Sequence, residues 1–402
     1  MALHSINISN SPPNNPKAFA LFYLGFRPFF LGAGLFAVFS MLAWMLIYAG
    51  QVSLPLSGIP MTYWHAHEMI YGYGLAVIAG FLLTATKNWT GQQTLHGWGL
   101  TALFSLWVIA RLMPLFNMPI LWIAIVDLSF CLFLIVSIAW PIIKVRQWQQ
   151  LILLVNISLL TIGNALFYAG LLGYVSQGGQ WGLYFGLYLV IGLIMIMGRR
   201  VIPFFIERGA GYPVKLKNWL WLDISSVAVF VIFFILATFT QHTEYVAMVA
   251  LLVFALHSLR LWGWYTAGIW KKSLLWSLYV SYATIVLGFL LYSLSYYFSW
   301  FPLLAIHLFA IGGIGLMTLS MMARVALGHT GRNVQQPPMI LHYLFLILCA
   351  SVISRVVMPL LMWDLYFYWV LGSQILWIIA FSGFVYVYTP ILIRPRVDNV
   401  IG

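Results

Sequence analysis

His67 and His307 each stand near the start of a long apolar run, and each run closes on a Thr-Gly pair, Thr90-Gly91 in one and Thr330-Gly331 in the other. The spacing from histidine to threonine is 23 residues in both. A second apolar segment follows each run and ends in an arginine and a proline: Arg111-Leu112-Met113-Pro114 and Arg355-Val356-Val357-Met358-Pro359. An imidazole and a guanidinium thus recur at matching places in a repeated helix-loop-helix unit. Ionisable groups in lipid are costly and usually have a use. Neutral imidazole is a common metal ligand, so two matching histidines point to a pair of metal or heme ligands. Guanidinium pairs carboxylate bidentately, so Arg111 and Arg355 suit heme propionates; snorkelling to lipid phosphate explains them equally well.

Other groups add to this set. Tyr63-Trp64-His65-Ala66-His67-Glu68-Met69 holds two histidines and an acid. On a regular helix, residues two apart diverge by about 200°, so His65 and His67 do not share a metal there. His65, Glu68 and Met69 share a face, and His67 points elsewhere. His257 lies in Leu256-His257-Ser258-Leu259-Arg260, with Arg260 one turn on along the same face. That pair reads as a ligand or polar site. His67 is followed by Gly72 and Gly74, and His307 by Gly312, Gly313 and Gly315. Glycines let a neighbouring helix or a flat macrocycle come close to the backbone. Glu68 and Asp127 are the best candidates for intramembrane acids, and Asp364 reads as a boundary residue. His4, His96 and His242 read as solvated surface, His329 as part of a turn, and His342 as a snorkelling side chain. Cys131 and Cys349 read as small core residues. No Cys-x-x-Cys-His is present for covalent heme attachment.

These groups sit on elements that composition defines. The chain has 402 residues, 63% hydrophobic and 6% charged. That is too little charge to cover a soluble domain of this size. A spanning helix needs about 20 apolar residues. Twelve such runs are present, near 27–49, 63–86, 98–116, 119–143, 150–174, 180–200, 218–240, 245–268, 274–297, 301–324, 338–361 and 366–391. They are too long and too uniformly apolar for a membrane β-barrel. The expected fold is an all-α polytopic membrane protein, with residues 25–393 as one twelve-helix domain. Residues 1–24 and 394–402 are cytoplasmic tails, and no cleaved signal is evident. Helices two and three resemble ten and eleven. A threefold repeat of four helices would make helices two, six and ten equivalent.

The net charge of +12 reports topology rather than a nucleic-acid partner. Of the nineteen Lys and Arg, sixteen fall on the side of the N-terminus or at helix ends facing it. Arg111, Arg260 and Arg355 are the exceptions. The positive-inside rule then puts both termini in the cytoplasm, which requires an even helix count. His65, His67, His307, Arg111 and Arg355 all come to the outer half.

Several stretches resemble the NnrS family. They are Leu24-Gly25-Phe26-Arg27-Pro28-Phe29-Phe30; Trp64-His65-Ala66-His67-Glu68-Met69; Gly80-Phe81-Leu82-Leu83-Thr84-Ala85 with Asn88-Trp89-Thr90-Gly91; Gly198-Arg199-Arg200-Val201-Ile202-Pro203-Phe204-Phe205; and Met321-Met322-Ala323-Arg324-Val325 with Gly328-His329-Thr330-Gly331-Arg332. The match runs from about residue 20 to 390. The resemblance implies a bacterial inner-membrane protein that contains heme and copper and acts in nitric oxide metabolism or nitrosative-stress tolerance. The helix count is also that of heme–copper oxidases, but no adjacent His-His pair and no late His-x-His supports that kinship.

The expected cofactor is a noncovalent b-type heme near the outer face, ligated by His67 and His307. Copper, implied by the resemblance, would go to His65 with His257 or Met69, since imidazole suits copper in either state and thioether suits Cu(I). Glu68 would support a ligand or carry protons. The expected partners are the lipid bilayer, nitric oxide and an unidentified electron donor, and redox turnover and simple binding both remain open. The rival expectation is a transporter of copper or a small metabolite.

Overall fold

The computed structural model describes residues 19–240 and 243–398. His4 and His242, most of the N-terminal tail and the last four residues lie outside the described residues. Twelve described helices are long and apolar enough to cross a membrane: α1 (Phe26–Tyr48), α2 (Met61–Thr90), α3 (Gly97–Phe116), α4 (Ile120–Lys144), α5 (Trp148–Leu171), α6 (Gly178–Gly209), α7 (Leu220–Phe239), α8 (Glu244–Trp264), α9 (Ser273–Tyr297), α10 (Leu303–His329), α11 (Ile340–Leu361) and α12 (Trp363–Ile393). The described residues form no strand. This is a multi-pass membrane protein.

The even count brings the two ends of the described chain to one face, here the terminal face. Ala20 N–H donates to the Ile393 carbonyl (2.8 Å) and Val397 N–H to the Thr330 carbonyl (3.2 Å). Arg27 is fully buried and donates to the Leu392 and Arg394 carbonyls, at 2.9 and 2.7 Å. The sequence reading counts Arg27 among the charges that set topology. Its structural task is to satisfy the free carbonyls at the end of α12, where a cation also meets the negative end of the helix dipole.

α2 and α10 are the most enclosed spans, and they share two features. Each starts as an α-helix that stops at its histidine and continues as a π-helix, Glu68–Gly74 after His67 and Leu308–Gly315 after His307. Each ends before a glycine in the left-handed conformation, Gly91 (φ 66) and Gly331 (φ 74). A side chain at Gly331 would also strike the Asp398 carboxylate at 2.8 Å. The repeated Thr-Gly pair is therefore a repeated helix stop.

Two helices run further than the apolar pattern predicts. α6 continues to Gly209, past Arg199 and Arg200, because Arg199 finds a carboxylate at Asp223 (2.7 Å). α10 continues through His329, so that residue closes a helix, a correction to its reading as part of a turn. Its ring lies 5.7 Å from that of Phe26.

Candidate functional site

The first polar cluster is built on α2 and closed by α3, α4 and α5. His67 is 3% exposed, Glu68 2%, Arg111 4%, and Asp127 and Asn164 0%. Nδ1 of His67 is 3.0 Å from Glu68 Oε1, and Nε2 is 2.9 Å from Asn164 Oδ1. Asn164 donates its Nδ2 to Asp127 Oδ2 (2.9 Å), which turns its carbonyl oxygen toward the histidine. Arg111 donates to Glu68 Oε2 (2.9 Å) and to Asp127 Oδ1, and Tyr168 donates to Asp127 Oδ2 (3.0 Å). Both imidazole nitrogens thus face acceptor oxygens. Arg111 and the two carboxylates thus sit together in one buried cluster.

Local backbone makes this cluster possible. The i→i+5 turns of a π-helix are rare and free carbonyls from the usual ladder. Trp107 Nε1–H donates to the Gly72 carbonyl at 3.0 Å. Gly72 has no side chain because the ion pair occupies that space: a Cβ there would lie 2.8 Å from Glu68 Oε2 and 3.2 Å from Arg111 Nη1. The same turn directs Glu68 to His67. It does not join His65 and Met69, as regular α-helical geometry predicts.

The second cluster uses the equivalent residues of α10 and α11 and ends differently. Glu68 corresponds to Leu308, so Arg355 has no carboxylate where Arg111 has one. Arg355 lies on a π-helical stretch of α11, Ile353–Val357. Its guanidinium stands 5.4 Å from the Tyr366 ring, and its Nη1 is buried without a hydrogen-bond partner. Its Nη2 is 3.4 Å from Nε2 of His307, whose Nδ1–H donates to the Leu303 carbonyl (2.7 Å). That bond fixes the tautomer and leaves the Nε2 lone pair toward Arg355. His65 joins this group from α2. Its ring stacks on Trp44 (4.6 Å, 8°), and its Nδ1 is buried with no partner. Arg355 is within electrostatic reach of both imidazoles, and His65 of His307.

A third group lies toward the terminal face. Arg260 donates to Asp223 Oδ1 (2.6 Å) and Ser226 Oγ (3.0 Å), and Arg199 shares that Asp223 oxygen at 2.7 Å. His257, 2% exposed, meets the Tyr282 hydroxyl at 2.7 Å through Nδ1, while Nε2 has no partner.

The structure therefore redistributes the residues singled out by sequence. His67, Glu68 and Arg111 belong to a closed charge cluster with Asp127. His65, His307 and Arg355 form an open one. His67 and His307 share no hydrogen-bond partner. His257 sits with Tyr282 and Arg260, and Met69 packs against the apolar core. Among the described residues no three of His, Cys, Asp and Glu are arranged to hold a metal ion. Arg111, doubly paired with acids, is not free for a propionate. The glycines after His307 are filled by neighbouring side chains: Thr284 against Gly312, Ile285 against Gly313 and Trp377 against Gly315. Helix packing accounts for them. Sequence reasoning missed Asn164, Tyr168, Trp44 and Asp223. Asn156 and Asn164, two amides amid the apolar residues of α5, are the signal that could have found the first. Nothing in the sequence links Trp44 to His65.

No curated protein matches the chain. The family model described as NnrS protein matches residues 20–396, nearly its full length. The chain therefore belongs to the NnrS family.

Proposed function

We propose that the protein binds a b-type heme at the distal face, opposite the termini, between His65 and His307, and uses it in nitric oxide metabolism or nitrosative-stress tolerance. Family membership supports a nitric-oxide-related membrane protein. The observation that carries the site is the pairing of unused donors: His65 Nδ1 and Arg355 Nη1 are buried without partners, beside a His307 whose Nε2 faces only a long contact. Buried polar atoms are rarely left unpaired without a reason. This replaces His67 by His65 in the expected ligand pair, because both nitrogens of His67 are held by acceptors.

His65 and His307 would hold the heme, which supplies an iron able to bind nitric oxide. Trp44 fixes the plane of His65, and the Leu303 carbonyl fixes the tautomer of His307. Arg355 is placed to accept a carboxylate bidentately. Nitric oxide, small and apolar, reaches such a site through lipid. Among the described residues no three of His, Cys, Asp and Glu are grouped to hold a metal ion, so no step is assigned to copper at His65 with His257 or Met69. The positive-inside distribution supports an inner-membrane protein with cytoplasmic termini. Glu68, Arg111 and Asp127 pair with one another in a closed cluster, an arrangement that favours a fixed site over the transporter reading.

The test is an optical spectrum of purified protein, oxidised and dithionite-reduced, with iron counted on the same sample. The proposal predicts Soret and α bands with stoichiometric iron, and a shift on adding nitric oxide. Protein without iron or colour, from cells well supplied with heme, would refute it.

A further inference from the structure

Three of the stretches that carry the family resemblance meet at the terminal face. They come from the ends of α2, α6 and α10, and they line a half-open cavity of about 330 Å³. That volume lies in the range of small-ligand sites. These are the three helices that a threefold repeat would make equivalent, and the cavity lies where their ends stand apart.

The lining divides by chemistry. Phe81, Ala85, Met197, Val201, Met321 and Val325 give an apolar wall. Asn88, Arg200 and His329 supply the polar end. Arg200 stands 5.8 Å from the Trp89 ring, and among the described residues it makes one long hydrogen bond, to Gln150 (3.4 Å). Asn88 Nδ2 is 3.4 Å from His329 Nε2. Arg324 lies 3.9 Å from the Phe205 ring, with its Nε buried and unpartnered. Lys87, Arg27 and Arg396 act electrostatically on His329. Asp398, the nearby acid, is engaged by Arg396 at 2.5 Å. Among the described residues that line the cavity there is no carboxylate, and Arg200 is its one charged side chain apart from His329.

We propose that this cavity is a binding site for an amphiphilic anion, with a phosphate or carboxylate head at Arg200, Asn88 and His329 and an apolar body along the α2–α6–α10 wall. Arginine pairs such oxyanions bidentately, and basic pockets between membrane helices accept lipid head groups. The site stands apart from the distal histidines and does not depend on the heme reading. An anionic lipid and a single-chain anionic amphiphile share the chemistry.

The experiment is native mass spectrometry of delipidated full-length protein titrated with dioleoylphosphatidylglycerol, dodecyl phosphate, inorganic phosphate or dioleoylphosphatidylcholine. One saturable adduct is expected with either anionic amphiphile. Arg200→Gln should weaken it about tenfold, the scale of one charge-assisted contact. Val325→Trp, which fills the cavity, should abolish it, and Lys144→Gln, on the same face but outside the cavity, should leave it unchanged. Arg200 is exposed, so Arg200→Gln decides the matter alone if Val325→Trp does not fold. Tighter binding of phosphatidylglycerol assigns the site to lipid, and tighter binding of dodecyl phosphate to a free amphiphile. Equal binding of phosphatidylcholine, competition by inorganic phosphate at the same concentration, or unchanged binding in Arg200→Gln would each overturn the proposal.

Discussion

Removing either member of the Arg111–Asp127 pair should cost far more than removing both. The pair sits in a pocket where His67, Glu68, Arg111 and Asp127 are all at most 4% exposed. Arg111→Leu leaves two buried carboxylates without their cation, and Asp127→Leu leaves Arg111 Nη2 and the Tyr168 hydroxyl without their acceptor. Each single change strands a buried charge, at about 3–5 kcal/mol. The double variant leaves His67 and Glu68, 3.0 Å apart and still in contact. An apolar replacement of a buried pair is often close to neutral, so the double variant should recover most of the loss. Thermal unfolding of the detergent-solubilised protein, followed by circular dichroism, ranks the four proteins. Both single variants should melt well below the parent, and the double variant above either. A double variant that melts as low as the sum of the single losses would show that the charges do not act as a unit. A harmless Arg111→Leu would refute the buried ion pair itself.

Four further outcomes follow from the same geometry. Gly72→Ala should destabilise the protein by about 1–3 kcal/mol through overpacking, because its Cβ meets Phe36 at 2.7 Å and Glu68 at 2.8 Å; thermal unfolding reads this directly. Leu308→Glu should give Arg355 the carboxylate that Arg111 already has, and heme occupancy, measured as pyridine hemochrome per protein, should fall while helix content is kept. Arg27→Gln should free the carbonyls that end α12 and speed tryptic cleavage after Arg396, since the Arg394–Pro395 bond resists trypsin. Trp44→Ala should loosen His65, with heme lost faster to apomyoglobin than from the parent protein.

The spans were largely legible because length and uniform apolarity decide a membrane helix, and those are properties of the sequence alone. The repeat was legible too, through His67 and His307 and the Thr-Gly stops. Its asymmetry was written in the sequence as Glu68 against Leu308, yet its meaning required Asp127 and Asn164 from helices whose neighbours no periodicity reveals. The π-helical turns carry no sequence signal that separates them from α-helix, and they move Glu68 from the face of His65 to the side of His67. Asp223 stands at the head of an apolar run, where it reads as a boundary residue, and only the fold shows Arg199 and Arg260 closing on it.

The account turns on which histidines serve the cofactor and which serve the charge cluster. The most direct measurement is the heme spectrum and iron content of His65→Ala, His307→Ala and His67→Ala, purified side by side. Loss or marked alteration of the Soret band in the first two, with a parent-like spectrum in His67→Ala, is the predicted result. Loss in His67→Ala with a parent-like spectrum in His65→Ala would contradict it and restore the pairing that sequence symmetry alone had favoured.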